Sequence, residues 1–213
     1  MAVKTYSLKN DGAKKLSENF KVKEFRSRDG ADKILIDEKL VSLLQKMRDK
    51  FGVINISSAY RTAAYNKKVG GVAKSQHLYG LAADVTVSDN SELLEAAQYA
   101  EKIGFKGVGL DDKYQNFLHL DTRKNKSFFR YRSNGSTYSV NSFFATVKVG
   151  SKGEEVKLLQ EKLRKLGYKD SSGKDLICDG VFGKNTEYAL KKFQKKMSLV
   201  TDGVAGPKTW SKL

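Results

Sequence analysis

The chain has 213 residues, room for one domain or two small ones, and its 39% hydrophobic content permits a globular core. Forty lysines and arginines against 24 aspartates and glutamates leave a net charge of +16, which favours a polyanionic partner. No zinc finger or RNA-binding signature accompanies that charge, so specific nucleic-acid recognition is not expected. No apolar run is long enough to cross a bilayer, and the start, Met1 to Tyr6, lacks the apolar segment of a secretion signal. Cys178 is the only cysteine, which excludes an internal disulfide and a cysteine-based metal site.

Taken in chain order, Ile36, Leu40, Leu43, Leu44 and Met47 recur at helical spacing and predict a helix over 36–50, ended by Phe51 and Gly52. Residues 53–57, Val-Ile-Asn-Ile-Ser, read as a strand. The strand runs into Ser57-Ser58-Ala59-Tyr60-Arg61-Thr62. The planar fork of Arg61 suits a carboxylate, either of a bound substrate or of a structural partner. The run Ser75-Gln76-His77-Leu78-Tyr79-Gly80-Leu81-Ala82-Ala83-Asp84 follows. On a straight helix His77 and Asp84 would share a face. Gly80 and the strand-like residues 81–87 predict instead a turn feeding a strand. An aspartate inside Ala82-Ala83-Asp84-Val85-Thr86-Val87 is costly to bury unpaired, and a metal accounts for both its charge and its position.

Residues 91–103 read as a helix with Leu93, Leu94, Ala97 and Ala100 inward, and 117–121 as a third strand. That strand carries His119, and Asp121 two positions on falls on the same face. His77 and His119 are the only histidines in the chain. Two neutral imidazoles and the Asp84 carboxylate make a zinc ligand set that leaves a position for water. The elements together predict an α+β domain with a small antiparallel sheet covered by helices.

Residues 133–142 are polar and turn-prone and read as a join, with Phe143 and Phe144 positioned to dock part of it. Beyond it, Val156, Leu158, Leu159, Leu163 and Leu166 mark a helix that Gly167 ends. Asp179-Gly180-Val181-Phe182-Gly183-Lys184-Asn185-Thr186 recurs as Asp202-Gly203-Val204-Ala205-Gly206-Pro207-Lys208-Thr209. Each copy reads as a glycine-rich turn followed by a threonine able to cap a helix. Tyr188, Ala189, Leu190, Phe193 and Gln194 between them suit a short amphipathic helix. The net charge divides as +9 before residue 148 and +7 from there on, so the positive field is spread along the chain.

The run from His77, together with Ser57–Thr62 and His119-Leu120-Asp121, resembles the M15 peptidase family of peptidoglycan enzymes over roughly residues 15–132. Asn19-Phe20, Glu24-Phe25 and Asp29-Gly30 match the start of its shorter members, with Ser27 near where many have cysteine. The resemblance implies zinc held by His77, Asp84 and His119, and Arg61 contacting the peptide substrate. Many relatives place an acidic residue three positions before the last histidine, where this chain has Asn116. Asp121 is then a general base, a carboxylate orienting His119, or only an ion-pair partner of Arg123; Asp111 and Asp112 are loop alternatives. Ser75 and Gln76 steady the His77 loop or touch substrate, Tyr60 and Tyr114 are candidates for shaping the cleft, and Tyr79 is equally placed for packing.

The tail resembles the peptidoglycan-binding type 1 domain, a three-helix wall-binding fold, on Gly153, Gln160, Leu163, Asp179, Gly180, Gly183, Thr186, Gln194, Asp202, Gly203, Thr209 and Trp210 among others. The expected organisation is a zinc peptidase domain over 1–132, a linker over 133–147 and a wall-binding domain over 148–213. The resemblances imply an endolysin-like zinc peptidase that cuts stem peptides or cross-links of peptidoglycan. Alternatives are a non-lytic D-Ala-D-Ala carboxypeptidase and an inactive wall-binding protein. The expected partners are peptidoglycan and anionic wall polymers, met as a monomer that leaves the host cytoplasm through a separate pore to reach the bacterial wall.

Overall fold

The computed structural model describes residues 2–89, 92–111 and 115–213. Contacts divide the chain into two compact units, Met1–Phe143 and Phe144–Leu213. In the first, strand β1 (Val3–Ser7) leads through the single turn α1 (Leu8–Asp11) to β2 (Lys33–Asp37), its antiparallel partner. Helix α2 (Glu38–Phe51) follows at once. The expected helical start at Ile36 gives way to β2, because Asp37 turns from the strand and caps α2 by accepting the Lys39 amide. Asp37 is fully buried, and its second oxygen accepts the Thr122 hydroxyl at 2.6 Å.

The main sheet has six strands. They are β3 (Ile54–Ser58), β4 (Ala82–Val87), β5 (Gly107–Asp111), β6 (Phe117–Asp121), β7 (Ser127–Tyr131) and β8 (Thr137–Val140). Their spatial order is β3-β4-β6-β5-β7-β8. The short helix α3 (Ala63–Lys68) lies between β3 and β4 in sequence, and α4 (Leu93–Ile103) between β4 and β5. The expected start of α4 at Ser91 lies outside the described residues. Ala83, Val85, Leu118, Leu120, Val108 and Leu110 alternate onto one face, are sealed from solvent, and meet α2 and α4. The opposite face is therefore left for chemistry.

The sheet corrects the antiparallel expectation, because β5 and β7 pair in parallel, Gly107 with Ser127 through Leu110 with Arg130. The short connection 122–126 rounds the start of β5 and lays β7 along its free edge in the same direction. The segment expected as a linker, 133–147, contains strand β8, which pairs with β7. Phe143 is buried against Phe128, with ring centroids 5.7 Å apart. Its amide donates to Glu101 at 2.8 Å and its carbonyl accepts from Gln98 at 3.1 Å. The division between the units thus falls after this anchor, at 143/144.

The second unit holds α5 (Glu154–Lys165), α6 (Lys184–Lys196) and the single turn α7 (Pro207–Trp210) around Val156, Leu159, Leu163, Phe182, Leu190, Phe193 and Trp210. The repeat in its sequence is a repeat in bonding. Gln160 donates to Asp179 (3.0 Å), the Val181 carbonyl (3.1 Å) and Thr186 (3.0 Å), and accepts the Gly180 amide (2.9 Å). Gln194 does the same with Asp202 (2.9 Å), Val204 (3.0 Å), Thr209 (3.4 Å) and Gly203 (3.0 Å). The two threonines were expected as helix caps. Thr186 and Thr209 instead lie inside their helices, buried, with Gly183 and Gly206 at the cap positions. Each hydroxyl serves a distant glutamine, a partner that local pattern does not reveal.

Candidate metal centre

Three elements bring the polar residues of the first unit together. Strands β4 and β6 pair in register, Asp84 opposite His119, so both side chains leave the same face of the sheet. His77 comes from a 3-10 turn, Gln76–Tyr79, ended by Gly80 in the left-handed region (φ 70°). A side chain at Gly80 would be strained by that backbone and would strike the Leu35 carbonyl 2.3 Å away. This is the turn into a strand that the sequence led us to expect, and it aims His77 over Asp84.

The three ligand atoms converge. His77 Nε2 lies 3.2 Å from Asp84 Oδ1, His119 Nδ1 lies 2.9 Å from the same oxygen, and the two nitrogens are 3.2 Å apart. Ligands about 2.0–2.1 Å from a tetrahedral zinc stand about 3.3 Å from one another, so this triangle is close to one face of such a tetrahedron. All three residues are buried, at 2% exposure for His77, 8% for His119 and 9% for Asp84.

The remaining ring nitrogens fix which lone pairs face inward. His77 Nδ1–H donates to the Ala59 carbonyl at 2.6 Å, which leaves its Nε2 as an acceptor. His119 Nε2–H donates to Asp121 Oδ2 at 3.0 Å, which leaves its Nδ1 as an acceptor. Two ring nitrogens and a carboxylate oxygen therefore point at one place, an arrangement that fits a metal ion such as zinc. Without metal, burial keeps the His77 pKa below its ordinary 6.5. Burial also opposes charge on His119, but its bonds to Asp121 and Asp84 outweigh this and push it up to about 9. Against burial, His77 and His119 hold the Asp84 carboxyl well below the usual carboxylate range.

Of the other expected residues, Asp121 is fully buried, and its carboxylate lies behind the His119 ring, on the side away from the converging atoms. Arg123 Nε bonds both of its oxygens at 2.8 Å. Burial would raise the Asp121 pKa, but His119 and Arg123 hold it at about 2. Its carboxylate therefore accepts from the outer nitrogen of His119 and pairs with Arg123. Arg61 is engaged with Asp84, Nη2 to Oδ2 at 2.5 Å, and with Ser58 Oγ at 2.8 Å. The carboxylate it holds is the candidate metal ligand's own. Asp111, expected in a loop, ends strand β5 and is fully buried, outside the three-residue cluster. Asp112 and Tyr114 lie outside the described residues. Asn116 has a left-handed backbone (φ 53°), which asparagine tolerates better than most residues. Ser75 precedes the His77 turn and is buried, Tyr60 is buried, and Tyr79 is half exposed. Ser27 accepts the Thr62 amide at 3.2 Å, next to Arg61.

Some of the site escaped sequence reasoning. The Ala59 carbonyl is a backbone atom, and no side-chain pattern marks it. Phe129 and Tyr131 flank the site from β7, with Phe129 5.8 Å from His119 between ring centroids. The readable signal was Gly107-Val108-Gly109, glycine at alternate strand positions. A Cβ at Gly107 would fall 2.0 Å from the Asp121 carboxylate, and one at Gly109 would fall 2.4 Å from the Phe129 ring.

A buried His-Asp-His cluster with committed tautomers on a small sheet defines a zinc-dependent peptidase once the family is known. Residues 15–121, half of the chain, match the model of the Peptidase M15 family, and the chain belongs to that family. Residues 152–213 match the model of a peptidoglycan binding domain. The zinc D-Ala-D-Ala carboxypeptidase of Streptomyces albus G is 43% identical over 68 residues, 32% of this chain and 26% of that protein. The spore cortex-lytic enzyme of Oceanobacillus iheyensis is 37% identical over 86 residues, 40% of this chain and 29% of that protein. The chain spans under a third of the length of these curated relatives. The crystal structure of the SleB N-terminal domain is 38% identical, covering 32% of this chain and 86% of that one, at a TM-score of 0.29.

Proposed function

We propose that the chain hydrolyses peptide bonds in the stem peptides or cross-links of bacterial peptidoglycan, as an endolysin-like zinc peptidase held to its substrate by the second unit. The observation that carries this reading is the triangle of His77, Asp84 and His119, whose inward atoms are all acceptors 2.9–3.2 Å apart. The peptidoglycan binding domain match over 152–213 supports the wall as substrate. Tethering there raises the local concentration of scissile bonds without any change at the site.

When bound, zinc polarises a peptide carbonyl and lowers the pKa of a coordinated water, which allows attack near neutral pH. The chain's own residues prepare that chemistry. The Ala59 carbonyl and Asp121 hold the two imidazoles in the tautomers that present lone pairs. Arg61 fixes Asp84 through its second oxygen, leaving Oδ1 turned to the histidines. Burial of all three ligands keeps bulk water from competing for them.

The test is mass spectrometry of the products from several purified peptidoglycans, with zinc-loaded protein and a His119→Ala control. New peptide ends that require His119 support the reading and identify the bond. Zinc-loaded, folded protein that releases nothing from diverse walls overturns it. A second reading, a D-Ala-D-Ala carboxypeptidase that trims without lysing, is favoured by the 43% identity to the Streptomyces albus G enzyme. Release of single D-alanine residues, with no loss of turbidity from intact walls, would select it.

A further inference from the structure

Away from the metal ligands, strand β1, the loop at 14–17 and helix α2 enclose a cavity of about 560 Å³. Lys4 and Tyr6 alternate onto one side of β1, and buried Ile36, paired opposite Lys4, forms part of the floor. Glu38, Ser42, Gln45 and Lys46 recur at helical spacing and make the facing wall from one side of α2. Lys14 and Lys15 close the cavity from the loop. That loop is tied down, because the Lys14 carbonyl accepts the Val22 amide at 3.0 Å and the Ser17 hydroxyl donates to Gln45 on α2 at 2.7 Å. The cavity is thus a fixed feature of the first unit.

Four of its lining residues are lysines, and Glu38, paired with Lys4, is the single carboxylate among them. Like charges gathered with so little counter-charge oppose folding and favour an anionic ligand. The lining also narrows the choice of anion. It holds no arginine, hence no planar fork for a carboxylate, whereas ammonium groups act as point charges suited to phosphate. Tyr6 is its one aromatic residue, and Lys14 stands over that ring at 5.6 Å. A nucleic-acid base therefore meets a single ring, already engaged, and not the row of free faces that single strands stack on. Ser42 is exposed and offers a hydroxyl to a polyol. A cavity of this size takes more than one phosphate group.

We propose that this cavity is a second attachment site, which takes a phosphodiester-linked polyol polymer of the bacterial wall. It rests on the reading of the wall as the target and adds a point of attachment on the peptidase unit itself. Two attachment points on one chain prolong residence on a surface beyond what either gives alone.

The test uses the full chain and calorimetry with synthetic poly(glycerol phosphate). One variant combines Lys14→Gln, Lys15→Gln and Lys46→Gln. A control removes the same charge elsewhere on the first unit, by Lys23→Gln, Lys33→Gln and Lys106→Gln, all exposed. The cavity variant is expected to bind about tenfold more weakly and with a flatter salt dependence, and the control within about twofold of the unmodified chain. Lys46→Glu alone, a single exposed change on α2, is expected to cost about fivefold, so the outcome does not hang on the triple variant folding. Zinc content and cleavage of a soluble stem peptide are expected at the unmodified level throughout. Undetectable binding, equal losses in cavity variant and control, or no loss in either overturns the site. Polyglutamate or single-stranded DNA bound as tightly through the same lysines overturns the choice of ligand. Sedimentation with purified walls identifies the source: the cavity variant is expected to be retained less on intact walls and equally on walls stripped of phosphate polymer. A deficit that persists on stripped walls overturns the polymer as partner. Cleavage of peptidoglycan by the unmodified chain is scored separately. Lysine-dependent polymer binding without cleavage overturns the peptidase reading and keeps the site. Cleavage without lysine dependence does the reverse.

Discussion

Both units bury polar side chains, and they do it in opposite ways. Around Gln160 and Gln194 every buried donor meets an acceptor, so each network is complete within the protein. Around His77, Asp84 and His119 two ring nitrogens and a carboxylate oxygen converge on one point, a set that fits a metal ion from outside the chain. A closed network fixes a shape, whereas an open one of a single sign fixes a ligand. The contrast sets the candidate metal centre apart from buried networks that only hold a shape, among them the Asp37–Thr122 pair of the first unit.

The largest effect should come from leaving the open network without its cation. His119→Ala, or removal of zinc with a chelator, is expected to lower the rate of peptide release at least about a thousandfold, because the several kcal/mol of transition-state stabilisation supplied by the metal go with it. Rate measurements on purified peptidoglycan check this, and added zinc should restore the chelated protein but not the variant. Asp121→Asn keeps the side-chain shape and weakens the grip on His119. Zinc affinity, read against a competing chelator, should fall about 10–100-fold. Loss of activity at unchanged zinc affinity would instead return Asp121 to the role of base.

The closed networks should fail by unfolding and not by losing a ligand. Gln160→Ala and Gln194→Ala each strand a buried amide, a carbonyl and a hydroxyl, and each is expected to cost about 2 kcal/mol of stability of the second unit. Trp210 is the only tryptophan and is buried in that unit, so its fluorescence during denaturation reports the loss. Unequal costs would show that the two copies of the repeat have diverged in their structural burden. The smallest effect is in acid. The Val181 amide and Gln160 hold the Asp179 pKa below its ordinary 3.8, and the Val204 amide and Gln194 do the same for Asp202. A depressed folded pKa gives stability that is present above about pH 4 and is lost as pH falls through the lower folded value. The Trp210 signal should therefore hold steady to about pH 4 and shift below it.

The open network was the more legible of the two in sequence. Two histidines in the whole chain, one beside a glycine turn and one on an apolar strand, with an aspartate buried among alanines and valines, leave few alternatives. Their mates were hidden for physical reasons. Ala59 acts through its backbone, and the β4–β6 register depends on pairing between residues 35 positions apart. Strand β5 begins Gly-Val-Gly, a poor strand former made acceptable by the aromatic ring above it. Strand β8 is largely exposed and lacks the apolar alternation that marks a half-buried strand, so it read as a polar join. In the second unit the Asp-Gly repeat was plain, yet its threonines were misread because their glutamine partners lie 26 and 15 positions away.

The origin of the three ligands has a consequence for how the centre loads. Asp84 and His119 sit on hydrogen-bonded neighbouring strands, so their spacing is set as soon as the sheet forms. His77 rides on one turn whose geometry depends on Gly80. The strand pair acts as a fixed two-point anchor and the turn as a latch. Asp84 and His119 would supply two ligands whose spacing is fixed by the sheet, and His77 would complete the set from the turn. Because a Cβ at Gly80 would both strain the turn and strike the Leu35 backbone of β2, Gly80→Ala is expected to lower the stability of the first unit together with its zinc affinity.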